Sequence, residues 1–428
     1  MYSDAIRKNS ILSIYYLLLM IRLVSWTDVD SLPPFSLRLL FLMAVVLPLW
    51  FKRSRLFVQI FLTFIVTSAS SYAVSYMPVD GLYILLTIIM SIFIMSLKRT
   101  EALYIPSGLI ILCLLSAIID FGYSQTITVS YHWLAVILIA AYMLKRNDTQ
   151  QLKYIVLSLS VVSLILSLEF IIVGDRFIRD VSTIAGEIDR KGWTDPNYFG
   201  AILGMSIVAA LIELLTNSSI SRQLKWFLAT SAIISLYTLF SIASRGAFLS
   251  LACSVVILIM CIPIKWKNKI WIFLGGLLAI LVMYYSHVLD LLILRFMSDA
   301  GDVGGRTGIW STRISAFFSE CNIFQWMFGI GSVNSLTLGT GRVLGFHNDF
   351  LAVLIRYGLV GLFSLLGLLL FPIIKAPKKQ KRIVFAATIY LVLCMSSIEP
   401  FTGGQWGVLY FYLYILMLSQ MKYADNKI

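Results

Sequence analysis

The sequence predicts an all-α, polytopic membrane protein with about fourteen transmembrane helices and one large, partly helical outer loop. Three observations carry this. Apolar runs of helical length fill nearly all of the 428 residues, and 59% of the residues are hydrophobic. Basic residues collect in alternate connections between those runs. One connection, residues 290–346, is far longer than the others. A soluble fold is excluded, and the chain reads as a single integral membrane domain over residues 1–428.

The runs fall at 10–27, 36–51, 56–77, 80–97, 103–119, 129–144, 152–173, 196–215, 224–242, 246–263, 269–289, 347–374, 382–398 and 404–421. Between them, positive charge gathers at Arg7/Lys8, Lys52/Arg53/Arg55, Lys98/Arg99, Lys145/Arg146/Lys153, Arg222/Lys225, Lys265/Lys267/Lys269, Lys375 to Arg382, and Lys422/Lys427. The positive-inside rule puts those connections in the cytoplasm. The net charge of +13 is mostly this orientation signal beside anionic lipid, and it calls for no nucleic-acid partner. Four cysteines, Cys113, Cys253, Cys261 and Cys394, lie in apolar runs and Cys321 lies in an outer segment, so the spacing offers no disulfide framework or CxxC metal site. The first run has no small-residue cleavage site and reads as a retained helix.

The choice of cation differs between the two sides. Fifteen of the sixteen lysines are cytoplasmic, whereas the basic residues outside or within spans are Lys191 and eleven arginines: Arg22, Arg38, Arg176, Arg179, Arg190, Arg245, Arg295, Arg306, Arg313, Arg342 and Arg356. Lysine would serve topology equally well. Guanidinium differs in being planar, permanently charged and able to grip phosphate or carboxylate with paired hydrogen bonds. The bias therefore implies an anionic ligand at the outer surface, with ion pairs to nearby acids such as Asp175, Asp180, Glu187, Asp189 and Asp195 as the structural counterpart.

Two outer segments exceed the usual connection length, 174–195 and 290–346. In the second, Arg306, Ile309/Trp310, Arg313 and Phe317 recur at helical spacing. A short interfacial helix is expected to begin near Arg306, with Arg306 and Arg313 on nearly one face. A Gly-rich stretch, 329–346, leads to the next span. The segment is expected to fold over the membrane surface as a large outer loop. No internal repeat is visible, which argues against a transporter built from two related halves.

Arg245 sits in SIASRGAFLS, where two spans meet with almost no connection; a charge at that boundary costs about 2.5–3.5 kcal/mol unless it faces a cavity or partner. His347 opens the span HNDFLAVLIRYGLVG at its outer end, where unpaired N–H groups suit phosphate and a histidine can act as a general base near neutral pH. Asn348 and Asp349 are good capping residues. Arg356 lies half a helical turn from His347 and is expected to point away from it. His132 and His287 read as packed or solvated, Glu169 as a structural ion-pair partner, and Glu213 as solvated near the cytoplasmic end of its helix. The DxD of Asp28 and Asp30 lies in a short outer loop and is a weak metal signature; no metal and no cofactor are expected.

In order, DPNYFG at 195–200, SRGAFLSL at 244–251, GGRTGIW at 304–310, GIG at 329–331 and HNDFLAVLIRYGLVG at 347–361 resemble the signature of the O-antigen polymerase and O-antigen ligase superfamily. The resemblance covers roughly residues 190–370. It implies a metal-independent membrane glycosyltransferase of the all-helical GT-C-like type, acting at the outer face of the bacterial inner membrane on glycans carried by undecaprenyl diphosphate. It assigns the diphosphate-binding arginines to Arg245 and Arg306 and the acceptor histidine to His347. Further substrate contacts are expected from Arg313, Arg342, Asn348, Asp195 and Asn197. One departure is Arg356, near a position where many relatives are expected to carry a carboxylate. The number of spans, the DPN element and the SRG form favour a polymerase of O-antigen or a related surface polysaccharide over a ligase acting on lipid A core. The implied partners are the lipid-linked oligosaccharide donor and acceptor, membrane lipids and a chain-length regulator protein. A lipid-linked oligosaccharide flippase is the rival of another class.

Sidedness is directly testable. In a chain whose Cys321 is replaced by Ser, a cysteine at Thr307 should react with a membrane-impermeant thiol reagent added outside, and one at Asn268 should not. Labelling at Asn268 in intact cells would invert the topology.

Overall fold

The computed structural model describes residues 107–120, 149–173, 196–217, 220–262, 264–298, 306–341, 344–399 and 406–420. The spans expected at 10–27, 36–51, 56–77, 80–97 and 129–144 lie outside the described residues, as do Asp28, Asp30, His132 and the segment 174–195. The described residues are helical with no strand among them. They form α1 (Ser107–Leu115, continued by a π-helical turn Ser116–Asp120), α2 (Thr149–Val173), α3 (Pro196–Thr216), α4 (Arg222–Ser241), α5 (Arg245–Cys261), α6 (Trp266–Tyr285) and α7 (Asp290–Ser298). There follow α8 (Arg306–Glu320), α9 (Ile323–Phe328), the single turn α10 (Ser332–Ser335), α11 (Asp349–Lys375), α12 (Lys378–Ser397) and α13 (Trp406–Gln420). Among them α3, α4, α6 and α11 are long and apolar enough to cross a membrane. The protein is therefore a helical membrane protein.

Helix ends follow local chemistry. The Ser221 hydroxyl accepts from the Leu224 N–H to start α4, and Asn322 with Gln325 closes a reciprocal capping box at α9. Pro196 opens α3, where its missing N–H costs nothing. The helix expected near Arg306 begins at Arg306 itself.

α3 is the central post, largely buried and packed against α2, α4, α5, α12 and α13. Packing between helices in lipid gains little from apolar burial and relies on close approach and on hydrogen bonds from small polar residues. Tyr390 donates to the Ala201 carbonyl at 2.8 Å, Ser254 to Ala386 at 2.9 Å, Ser231 to Ser160 at 2.7 Å and Tyr412 to Leu368 at 2.9 Å. These bonds join α12 to α3, α5 to α12, α4 to α2 and α13 to α11. By contrast, α6 buries none of its residues.

The feature that positions the outer loop is a break in α11. At Gly358 φ is +67° and ψ is −166°, outside the helical region. The carbonyls of Ile355 and Arg356, just before the break, accept from the N–H groups of Ile330 (3.1 Å) and Gly331 (3.0 Å). α9 lies along α11 at this point, so close that a Cβ on Gly358 would stand 2.3 Å from the Met327 carbonyl. The 18 residues from Gly358 to Lys375 make about 27 Å of helix, close to the ~30 Å hydrocarbon thickness, so the break falls near the membrane boundary. Irregular backbone at that level requires protein partners for its polar groups, which the 329–331 segment supplies.

Asp120 secures the other side of the same segment. Its carboxylate is buried and accepts from the Ser332 N–H (2.6 Å), the Ser332 hydroxyl (3.0 Å), Ser116 (3.1 Å) and Tyr357 (3.1 Å).

Gly358→Ala should therefore detach the loop rather than merely strain a turn. A Cβ there meets backbone on a residue already in the left-handed region, and the expected loss is about 3 kcal/mol or more. Thermal unfolding of the detergent-solubilised protein, compared with Gly367→Ala at an open site on the same helix, measures it.

Candidate active site

Four separate parts of the chain converge on the last turn of α12 and the residues just after it. A helix end leaves its last carbonyls without intrahelical donors. Here the Ser397 carbonyl receives Arg306 Nη1 at 2.8 Å, and the Ser396 carbonyl receives Asn348 Nδ2 at 3.3 Å. α5 approaches the same turn through Gly246, where an added Cβ would stand 2.7 Å from Ser397 Oγ. Arg245 is the first residue of α5 and half-buried, so it stands beside this turn. Ser244, just before it, donates to Asn197 Oδ1 at 3.2 Å and brings the start of α3 into the group. Arg306 and Asn348 thus bond to the end of α12, Arg245 stands next to the Gly246 contact, His347 precedes Asn348, and Asn197 joins the group through Ser244.

Glu399 is the member that sequence reasoning missed. It is buried, its Oε2 accepts the Phe346 N–H at 2.8 Å, and its Oε1 lies 3.6 Å from Arg356 Nη2. Gly345 sits between its carboxylate and the His347 imidazole: a Cβ there would be 3.2 Å from Glu399 Oε2 and 3.6 Å from His347 Nε2. A usable signal existed, since an ionisable residue at the mouth of an apolar span is a functional-site candidate by default.

Arg356 does not point away from this region as its position along α11 suggests. The rotation argument treats His347 as part of the helix. α11 starts only at Asp349, with the Asn348 side chain capping it by accepting from Leu351 N–H at 3.0 Å, and His347 precedes the cap with φ at +52°. The chain before the helix doubles back, so Phe346 comes to lie beneath Arg356, whose guanidinium carbon is 5.4 Å from the ring centroid.

Phe346 is held on every side. Its N–H goes to Glu399, its carbonyl accepts from the Trp310 indole at 2.6 Å, and its ring stacks under Arg313 at 4.0 Å. Arg313 is fully buried; Nη2 donates to the Leu336 carbonyl (2.8 Å) and the Leu344 carbonyl (2.6 Å). Burial pulls its pKa below the usual arginine range, Glu399 opposes this and Arg356 adds to it. This geometry makes Arg313 a strut inside the loop, joining α8 to both ends of the 336–344 stretch.

Left-handed backbone at a residue other than glycine is uncommon and concentrates where function requires it. Among the described residues it occurs at Ala243, His287 and His347. Ala243 lies two residues before Arg245 and His347 is itself in the group. His287 is elsewhere, exposed and paired with Asp290 at 2.8 Å. Asp195 and Arg342 lie outside the described residues. No cluster of three or more His, Cys, Asp or Glu side chains with metal-holding geometry occurs among the described residues.

Residues 230–366 match the family model described as O-antigen ligase, and the match supports the O-antigen polymerase and ligase superfamily. It includes Arg245, Arg306, Arg313, His347, Asn348 and Arg356; Asn197 and Glu399 fall on either side of it. Members of this family are glycosyltransferase-like enzymes. No curated protein matches the chain.

Arg313→Lys should loosen the loop although charge is kept. An ammonium cannot stack on Phe346 and bridge two carbonyls at once, and the expected loss is on the order of 2 kcal/mol. Faster hydrogen exchange at Leu344 to Phe346, with α12 unchanged, is the measurement.

Proposed function

We propose that this protein polymerises oligosaccharide repeat units carried on undecaprenyl diphosphate, at the outer face of the bacterial inner membrane, as a metal-independent glycosyltransferase of the GT-C-like type. The observation that carries the reading is the convergence of Arg245, Arg306 and His347 around the C-terminal turn of α12, within a superfamily that handles lipid-linked glycans.

In this reading Arg245 and Arg306 grip the donor diphosphate. Arg306 donates from Nη1 to the Ser397 carbonyl, which holds its guanidinium at the end of α12, and a guanidinium fork suits paired bonds to phosphate oxygens. As the glycosidic bond to phosphate breaks, negative charge grows on the leaving diphosphate, and guanidinium groups fixed beforehand stabilise it without reorganising. His347 orients or deprotonates the acceptor hydroxyl that attacks the anomeric carbon. Diphosphate leaves readily, so positioning and charge neutralisation supply the catalysis. The loop over residues 290–346 covers the site, and Asp195, Asn197, Arg342 and Asn348 contribute substrate contacts at its edge. The fourteen-span topology, with the arginine-rich ends outside, and association with a chain-length regulator belong to the same proposal.

The second reading is an O-antigen ligase transferring the finished glycan to lipid A core. The family description favours it, and the same three residues would serve. A flippase is the weaker rival, because among the described residues Arg306, Arg313 and Arg356 gather around one loop and Arg245 lies beside it.

Arg245→Lys and Arg306→Lys should each lower polymer formation in membranes by on the order of 100-fold at normal protein levels, since a point charge does not reproduce paired phosphate bonds. His347→Ala should stop chain growth while lipid-linked donor still binds. Near wild-type polymer from both lysine variants would sink the diphosphate clamp, and loss of donor binding in His347→Ala would move the histidine into the donor site.

A further inference from the structure

We propose that Glu399 is a positioning residue for His347: its carboxylate, whose buried charge is paired with Arg356, clamps the Phe346 N–H and thereby fixes the left-handed backbone that aims the imidazole. The inference rests on the acceptor role proposed for His347.

The two side chains are each more than nine-tenths buried. A buried ion pair is seldom a net source of stability, because desolvation offsets much of the attraction. Its geometry here is that of a holder more than of a tight salt bridge. Arg356 Nη2 stands 3.6 Å from Oε1, while the stronger bond, at 2.8 Å, runs from the Phe346 N–H to Oε2. Arg356 is anchored in turn, with Nε donating to Ser335 Oγ at 3.4 Å and its plane over the Phe346 ring. The carboxylate is therefore paired with Arg356, lies within electrostatic reach of Arg313 and has the Phe346 N–H as its backbone target.

That target is the residue immediately before His347. A left-handed histidine costs on the order of 1 kcal/mol and persists only where its surroundings over-determine it. The flanking residues are so determined: Phe346 by Glu399 and Trp310, Asn348 by its cap to Leu351 and its bond to Ser396. Glu399, like Ser396, comes from the same segment that holds Arg306 at Ser397. One short piece of chain thus sets the register between the arginine on the donor side and the histidine on the acceptor side.

Two double variants test the clamp, since both remove the ion pair and they differ in the acceptor offered to Phe346, with the donor KM reporting any wider loss of packing. Glu399→Gln with Arg356→Met keeps an oxygen for the Phe346 N–H; its kcat should stay within about threefold of wild type. Glu399→Ala with Arg356→Met removes that oxygen; kcat should fall about 10- to 100-fold while the KM for lipid-linked donor stays within about threefold. Equal kcat in the two, or a loss confined to donor KM, would overturn the proposal. Glu399→Asp keeps the charge and shortens the arm, so it decides the question if the doubles accumulate poorly: about a tenfold fall in kcat is expected, and wild-type kcat would also overturn it. His347→Ala measured alongside reports on the acceptor role by itself. Full activity there would remove that reading, whereas an inactive His347→Ala with indistinguishable doubles would remove only the clamp.

Discussion

A break in a membrane helix must find partners for the backbone groups it frees, and the placement of the described loop between α7 and α11 follows from how Gly358 meets that demand. The carbonyls of Ile355 and Arg356 accept from Ile330 and Gly331, so the loop is fastened to α11 by main-chain bonds. Neither side of that joint tolerates a side chain: a Cβ on Gly329 would stand 2.1 Å from the Arg356 carbonyl, as one on Gly358 would crowd Met327. Asp120 then locks the following turn to α1. With its middle fixed in this way, the loop brings Arg306 at one end and Phe346–His347 at the other to the same turn of α12.

The electrostatics of that region depend on sharing. Arg313 and Arg356 both lie against the Phe346 ring, and Glu399 is the carboxylate between them. Burial disfavours the charge on Arg313, and Glu399 opposes that effect while Arg356 adds to it. An aromatic face accepts a cation with little desolvation penalty, so the Phe346 ring helps two guanidinium groups lie beside one carboxylate. Asp349, a second buried acid, opens α11 two residues after His347.

Several elements were readable in order along the chain. The helices α2 to α6 and α11 to α13 lie within a few residues of the apolar runs that predict them, because a span of hydrocarbon dictates a minimum apolar length. The helix at Arg306 was legible from its spacing of apolar residues. Arg245, Arg306 and His347 stood out because a charge or a rare histidine at a span boundary needs a local reason. What the spacing could not show was Glu399, fifty-two residues beyond His347, whose role exists only where α12 ends beneath Phe346. Nor could it separate Arg313, enclosed within the loop, from Arg306, half-exposed at its edge, since both occupy the same face of one helix.

The sequence by itself determined the helical class of the protein and the approximate bounds of its described long helices, because these depend on local quantities: apolar length and the polar breaks between apolar runs. Tertiary structure decided which charges meet. The left-handed turn at His347, set outside the helix by the Asn348 cap, reverses the chain and carries Phe346 under Arg356. Rotation along an ideal helix places His347 and Arg356 on opposite sides, and long-range contacts from Glu399, Trp310 and Arg313 hold the conformation that brings Phe346 under Arg356.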